Sequence, residues 1–208
     1  MIRIKVCGMC DPLNVKEIAE AKPDFMGFIF YSGSPRYVGG EPDMDLFLNV
    51  PSATQKTGVF VNEDPDKILD LTRRTGIDLV QLHGNEPADY CSQLRSSGII
   101  IIKAFGITEY FDFEKLKPYI PACDYFLFDT KTEKFGGSGL KFDWTKIDEY
   151  HLEKPFFLSG GIGPEDASLI KQINHKNLFA VDINSRFEIR PGIKDREKVE
   201  AFIDEIKR

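Results

Sequence analysis

The chain has 208 residues, 42% of them apolar and 29% charged, which is the balance of an ordinary globular domain and excludes disordered or collagen-like classes. Lysine and arginine number 27 against 33 aspartate and glutamate, and the net charge of −6 argues against a protein built to hold nucleic acid. The longest apolar runs, such as Ile99-Ile100-Ile101-Ile102, fall far short of the roughly 20 residues of a membrane span.

The N-terminus alternates charged and β-branched residues and lacks the apolar core of a secretory signal, so the expected compartment is the cytoplasm. Four cysteines give a single C-x-x-C, Cys7 to Cys10, without the second pair or nearby histidines of a zinc site. In a reducing compartment these are expected to be thiols.

In chain order, short runs rich in β-branched and aromatic residues occupy 3–6, 25–30, 56–61, 79–82, 99–104, 125–128, 155–158 and 178–183. Their starts are 20 to 31 residues apart, the length of one strand, one helix and two short loops. Between them lie helix signals. Asp11-Pro12 precedes 13–21, Asp64-Pro65 precedes 66–74, and Gly163-Pro164-Glu165 precedes 166–173, each a cap followed by proline. The last helix is read over 194–207, and the segments 42–50 and 111–119 read as short or irregular helices. Strict alternation of strand and helix implies a parallel sheet, and eight repeats favour closure into a (β/α)8 TIM barrel with 1–208 as a single catalytic domain.

Barrel chemistry collects at the C-terminal strand ends. There stand Cys7-Gly8, Ser34-Pro35-Arg36-Tyr37, Gln81-Leu82-His83-Gly84, Asp129-Thr130 leading to Gly136-Gly137-Ser138-Gly139, Ser159-Gly160-Gly161, and Asp182-Ile183-Asn184-Ser185. The Gly160-Gly161 turn, after the seventh strand and before a proline-initiated helix, reads as a phosphate cradle, so a phosphorylated small molecule is the expected ligand. Cys7 in a cationic environment would be partly thiolate and serve as base or nucleophile. Asp129, at the rim of an apolar strand, is placed to act as a general acid. One thiol and one carboxyl make an acid/base pair that needs no metal or redox cofactor, which suits an isomerase.

Ile4-Lys5-Val6-Cys7-Gly8, Val80-Gln81-Leu82-His83-Gly84, Leu127-Phe128-Asp129-Thr130, Gly136-Gly137-Ser138-Gly139 with Phe142-Asp143-Trp144, Leu158-Ser159-Gly160-Gly161 and Ala180-Val181-Asp182, in this order, resemble the phosphoribosylanthranilate isomerases of tryptophan biosynthesis. The resemblance implies a barrel without cofactor. It also implies an Amadori rearrangement of N-(5-phosphoribosyl)anthranilate, with Asp129 as acid and Cys7 as base. Arg36 matches the family's arginine facing the anthranilate carboxylate, Asp182 a carboxylate near the anthranilate amino group, and His83 lies on the same face. Related phosphate barrels fit worse. Lys5 and Lys103 do not reproduce a synthase's lysine–glutamate set, a metal-dependent epimerase would need more strand-end histidines, and a non-catalytic barrel would lack Cys7 or Asp129.

After the eighth strand the family usually has glycine where this chain has Arg186. The expectation is a different turn, with Asn184 and Ser185 still donating to phosphate and Arg186 adding charge there. Cys10 is expected to have no redox role. Both a monomer and a homodimer fit the sequence.

Overall fold

The computed structural model describes residues 1–130 and 141–208. Eight parallel strands close into a barrel in chain order: β1 (Arg3–Cys7), β2 (Phe25–Ile29), β3 (Gln55–Phe60), β4 (Leu79–Leu82), β5 (Ile100–Ile107), β6 (Tyr125–Thr130), β7 (Phe156–Leu158) and β8 (Leu178–Ile183). All eight strands read from the sequence are present. β8 closes on β1 with Lys5 opposite Asp182. Among the described residues six α-helices decorate the outside: α1 (Pro12–Ala19), α2 (Asp45–Leu48), α3 (Pro65–Thr75), α4 (Ala88–Ser96), α5 (Ala167–Lys171) and α6 (Arg196–Lys207). No helix among the described residues is long and apolar enough to cross a membrane.

The caps behave as their residue types require. The Asp11 carboxylate accepts from Asn14 N at 2.8 Å, and Asp64 accepts from Asp66 N at 2.9 Å, each satisfying an orphan amide of the first turn that follows its proline. Segment 113–119 is 3-10, with Pro118 inside it, as an irregular helix should be. The 166–173 segment is shorter than read: a 3-10 turn at Pro164–Asp166 precedes the five residues of α5.

One helix carries no sequence signal of its own and one boundary is corrected. α4 carries no strong apolar period, since only Cys91 and Leu94 of its nine residues are buried, so it gave no signal. The last helix begins at Arg196, capped by Asp195, not at residue 194. The preceding residues form an antiparallel hairpin, β9 (Glu188–Arg190) and β10 (Ile193–Lys194), around Pro191-Gly192. Proline followed by a glycine at φ +86° is the type II turn pattern. A Cβ on Gly192 would stand 2.1 Å from Cys10 Sγ, so the turn also needs glycine for space.

Alternation along each strand sorts the side chains. One set, including Val6, Phe28, Val80, Phe126 and Val181, packs outward into the main core beneath the helices. The other set points inward. In the lower barrel it is Phe25, Leu79, Ile102, Leu127, Phe157 and Ala180, a separate apolar cluster. Phe157 meets Phe25 edge-on at 5.4 Å and Phe179 at 5.5 Å, and the Arg3 guanidinium covers the Phe179 ring at 4.5 Å. This plug closes the bottom and leaves the top for chemistry.

Candidate active site

Above the plug the inward positions become polar and line a cavity of about 160 Å³ that opens at the C-terminal strand ends. Cys7 comes from β1, Arg36 from the loop after β2, and His83 from just past β4. Asp129 closes β6, Gly160 and Gly161 follow β7, and Asp182, Asn184 and Ser185 come from β8 and its loop. All nine residues singled out in the sequence line this one cavity. Ile29, Val59 and Ile162 give it an apolar wall, and Gln81 lies in its floor. The glycine-rich segment 136–139 lies outside the described residues.

Cys7 is a buried thiol. Gly27, opposite it on β2, supplies its space: a Cβ there would lie 2.7 Å from Cys7 Sγ and 3.2 Å from Lys5 Nζ, so thiol and ammonium share the surface of one glycine. Lys5 is completely buried and touches both Asp182 oxygens at 3.0 Å. Burial works against the lysine charge, but Asp182 and Cys7 outweigh it and hold its pKa above the ordinary lysine value. The expected cationic neighbours of Cys7 are therefore present. Burial pushes the Cys7 thiol up by more than Lys5 and Lys194 pull it down.

Asp129 is held by its neighbours on both oxygens. Thr130 N donates to Oδ1 at 2.8 Å, and His83 Nε2 stands 3.3 Å from Oδ2. Gln81 Nε2 lies 2.8 Å from His83 Nδ1, an arrangement that puts the imidazole proton on Nε2, towards Asp129. Gln81 Oε1 is buried with no partner among the described residues. Gly160, at φ +93°, presses against the carboxylate, and a Cβ on it would meet Thr130 Oγ1 at 2.4 Å and Asp129 Oδ1 at 3.1 Å.

Arg36 is buried at the rim, its stem laid on Gly8, where a Cβ would meet Arg36 Cδ at 2.6 Å. Its Nε and Nη2 donate to the two oxygens of Glu188, each at 2.7 Å. Lys194 Nζ donates to Glu188 Oε1 and to Asn184 Oδ1, each at 2.6 Å. Burial opposes the Glu188 charge, but Arg36, Lys194 and the Gly192 amide outweigh it and hold its pKa below the ordinary range.

Reading the strand ends alone misses Glu188 and Lys194, since both arrive on the hairpin. A Pro-Gly pair between apolar–polar alternations was the available signal. Lys5 and Gln81 were legible by parity, two residues before Cys7 and His83 on inward-facing strands.

Arg186 adopts no left-handed backbone: the positive-φ residues other than glycine are Lys22 and Asn62 among the described residues. Its guanidinium reaches Glu165 at 2.9 Å, and the residue is absent from the cavity wall. The Cys10 thiol faces Gly192 O at 3.6 Å.

Residues 4–205 match the family model described as N-(5'-phosphoribosyl)anthranilate (PRA) isomerase. The chain is 43% identical over 204 residues to the N-(5'-phosphoribosyl)anthranilate isomerase of Parabacteroides distasonis, spanning 98% of this chain and 92% of that one. Among solved structures, the phosphoribosyl anthranilate isomerase of Thermotoga maritima superposes with a TM-score of 0.86 at 37% identity over 100% of this chain and 99% of that one. A structure of such an isomerase in complex with reduced 1-(o-carboxyphenylamino)-1-deoxyribulose 5-phosphate superposes with a TM-score of 0.84 at 33% identity, covering 100% and 99% of the two chains. The (β/α)8 barrel, its polar cavity and these matches agree: the chain belongs to the phosphoribosylanthranilate isomerase family, the isomerases of tryptophan biosynthesis.

Proposed function

We propose that this enzyme converts N-(5-phosphoribosyl)anthranilate to 1-(2-carboxyphenylamino)-1-deoxyribulose 5-phosphate with Asp129 as general acid and Cys7 as general base. The observation that carries this reading is the placement of a carboxyl and a thiol on one cavity, from strands three apart in a closed ring of eight. Acid and base thus approach a substrate from different walls.

The Asp129 proton goes to the ribose ring oxygen. The C1′–O bond breaks towards that oxygen while the anilino nitrogen pair forms the C1′=N bond of an iminium ion. Cys7, as thiolate, then takes the C2′ proton. The C2′–H electron pair becomes the C1′=C2′ bond, and the C=N pair returns to nitrogen. The resulting enolamine gains a proton at C1′ and loses one from the C2′ hydroxyl, giving the ketone. Lys5 and Lys194 are the cations that favour the thiolate against burial.

His83 orients the Asp129 carboxyl, and Asp182, held by Lys5, faces the anilino nitrogen. Gly160, Gly161, Asn184 and Ser185 cradle the phosphate at the opening of the cavity. Arg36 presents its outer edge to the anthranilate carboxylate, where a planar fork matches a planar anion. No cofactor takes part in this scheme.

A coupled assay with freshly made phosphoribosylanthranilate tests the scheme on the wild type, Cys7→Ala and Asp129→Ala. Each substitution is expected to lower turnover by about 10²- to 10⁴-fold, the usual contribution of a positioned acid or base. Undiminished turnover in both variants rejects the mechanism.

A further inference from the structure

We infer that Glu188, delivered by the β9–β10 hairpin, is a positioning residue that locks Arg36 with one two-nitrogen edge facing the cavity, and thereby sets selectivity for an aromatic amine bearing a carboxylate. The inference rests on the reading that Arg36 meets the anthranilate carboxylate.

A guanidinium carries five N–H donors and can offer a carboxylate either its Nε–Nη2 edge or its Nη1–Nη2 edge. Glu188 occupies the first edge completely, with both bonds at 2.7 Å. Only the second edge then has a parallel pair of hydrogens for a ligand. The stem cannot rotate to exchange the edges, because it lies on Gly8, whose φ of +78° and missing Cβ let Arg36 Cδ approach.

Glu188 is itself immobilised. Its Oε1 accepts from Lys194 Nζ at 2.6 Å and from Gly192 N at 3.0 Å, as well as from Arg36. Lys194 is anchored in turn, its backbone N–H donating to Asn14 Oδ1 at 2.7 Å and its carbonyl accepting from Asn14 Nδ2 at 3.0 Å. The chain of contacts runs from α1 through the hairpin to the cavity wall. It buries two lysine–carboxylate and arginine–carboxylate pairs whose desolvation offsets most of their attraction, so a well-packed apolar hairpin would serve the fold as well. What an apolar hairpin would not do is orient a guanidinium.

The test measures affinity for two ligands: reduced 1-(o-carboxyphenylamino)-1-deoxyribulose 5-phosphate and the same compound without the ring carboxylate. The ratio of the two dissociation constants reports the carboxylate contact alone. Arg36→Met is expected to bring this ratio close to one. Glu188→Gln, which keeps the side chain's size, is expected to reduce it by about 10- to 100-fold, the range of a charge-assisted hydrogen bond, while affinity for the carboxylate-free compound changes little. In steady-state kinetics the loss falls on KM more than on kcat. The double variant should be no worse than Arg36→Met.

Equal weakening of both ligands by Glu188→Gln would mean a scaffold role and overturns the inference, as does an unchanged ratio. If Arg36→Met also keeps the full ratio, the reading of Arg36 falls first. Should Glu188→Gln fail to fold, Glu188→Asp retains the charge but not the reach, and the same ratio decides.

Discussion

The lower and upper halves of the barrel interior are built from the same strands, two residues apart. Phe25 gives way to Gly27 on β2, Leu79 to Gln81 on β4, Leu127 to Asp129 on β6, Phe157 to Ser159 past β7, and Ala180 to Asp182 on β8. One step of side-chain alternation, roughly 6.6 Å of strand, separates residues that hold the barrel together from residues that face a ligand. The lower set has no polar side-chain atom and needs none satisfied. The upper set is polar and its charges are paired: Lys5 with Asp182, and Arg36 and Lys194 with Glu188. Stability and chemistry are thus segregated by height within the barrel rather than by element, and substitutions at the two heights should fail in different ways.

After the loss expected on removing Cys7 or Asp129, the next largest effect belongs to the plug. Phe157→Ala empties the centre of the lower cluster and should destabilise the fold by about 3–5 kcal/mol, read by denaturant melts. Turnover per folded molecule should persist at low temperature. A Phe157 variant that melts normally but loses activity would erase the distinction between the two halves.

Gly27→Ala probes the boundary. Its methyl would enter the space between Cys7 Sγ and Lys5 Nζ, costing about 1–3 kcal/mol of overpacking. By displacing the thiol it should also lower kcat by about 10- to 100-fold. Wild-type kcat in this variant would show that the site tolerates a shifted thiol.

The pH dependence sharpens the picture of Cys7. A base acts only when deprotonated, and burial raises the Cys7 pKa above the ordinary thiol value. Alkylation of Cys7 by a small thiol reagent, read at that residue by mass spectrometry, should therefore climb with pH and level off only beyond the ordinary thiol range. The charged groups facing Cys7 are Lys5, Asp182, Lys194 and Arg36. Lys194→Met removes one of these cations and should move the climb to still higher pH. A plateau already reached at neutral pH would contradict the upward shift of the Cys7 thiol.

The smallest effect is expected at Arg186, whose exposed pair with Glu165 contributes under about 1 kcal/mol. Arg186→Gly should leave both the melting temperature and KM nearly unchanged. A higher KM would place its charge in the phosphate site after all.

The elements legible in the sequence were those whose own residues carry the signal. β6 and β8 begin with unbroken apolar runs, 125–128 and 178–181, because a parallel strand inside a barrel is buried on both faces, and α1 and α3 announce themselves by Asp-Pro caps. α4 was silent because its outer surface is polar and only two of its residues, Cys91 and Leu94, are fully buried. Lys194 read as helix because a lysine before Asp-Arg-Glu-Lys suits a first turn or its approach equally well. Only its burial against Asn14, Asn184 and Glu188 shows that it belongs to a strand.

Strand spacing and the residues at strand ends were sufficient to read the eight-stranded barrel and the nine residues that line its cavity, and the ordered motifs carried the resemblance to the family, because each lies in local order along the chain. Closure decided the rest. Lys5 and Asp182 stand 177 positions apart and Arg36 and Glu188 stand 152 apart, and no periodicity in the sequence pairs them. Whether Cys7 is a thiol or a thiolate depends on the balance between burial and these long-range charges. That balance exists only once β8 has closed on β1 and the hairpin has folded over the rim.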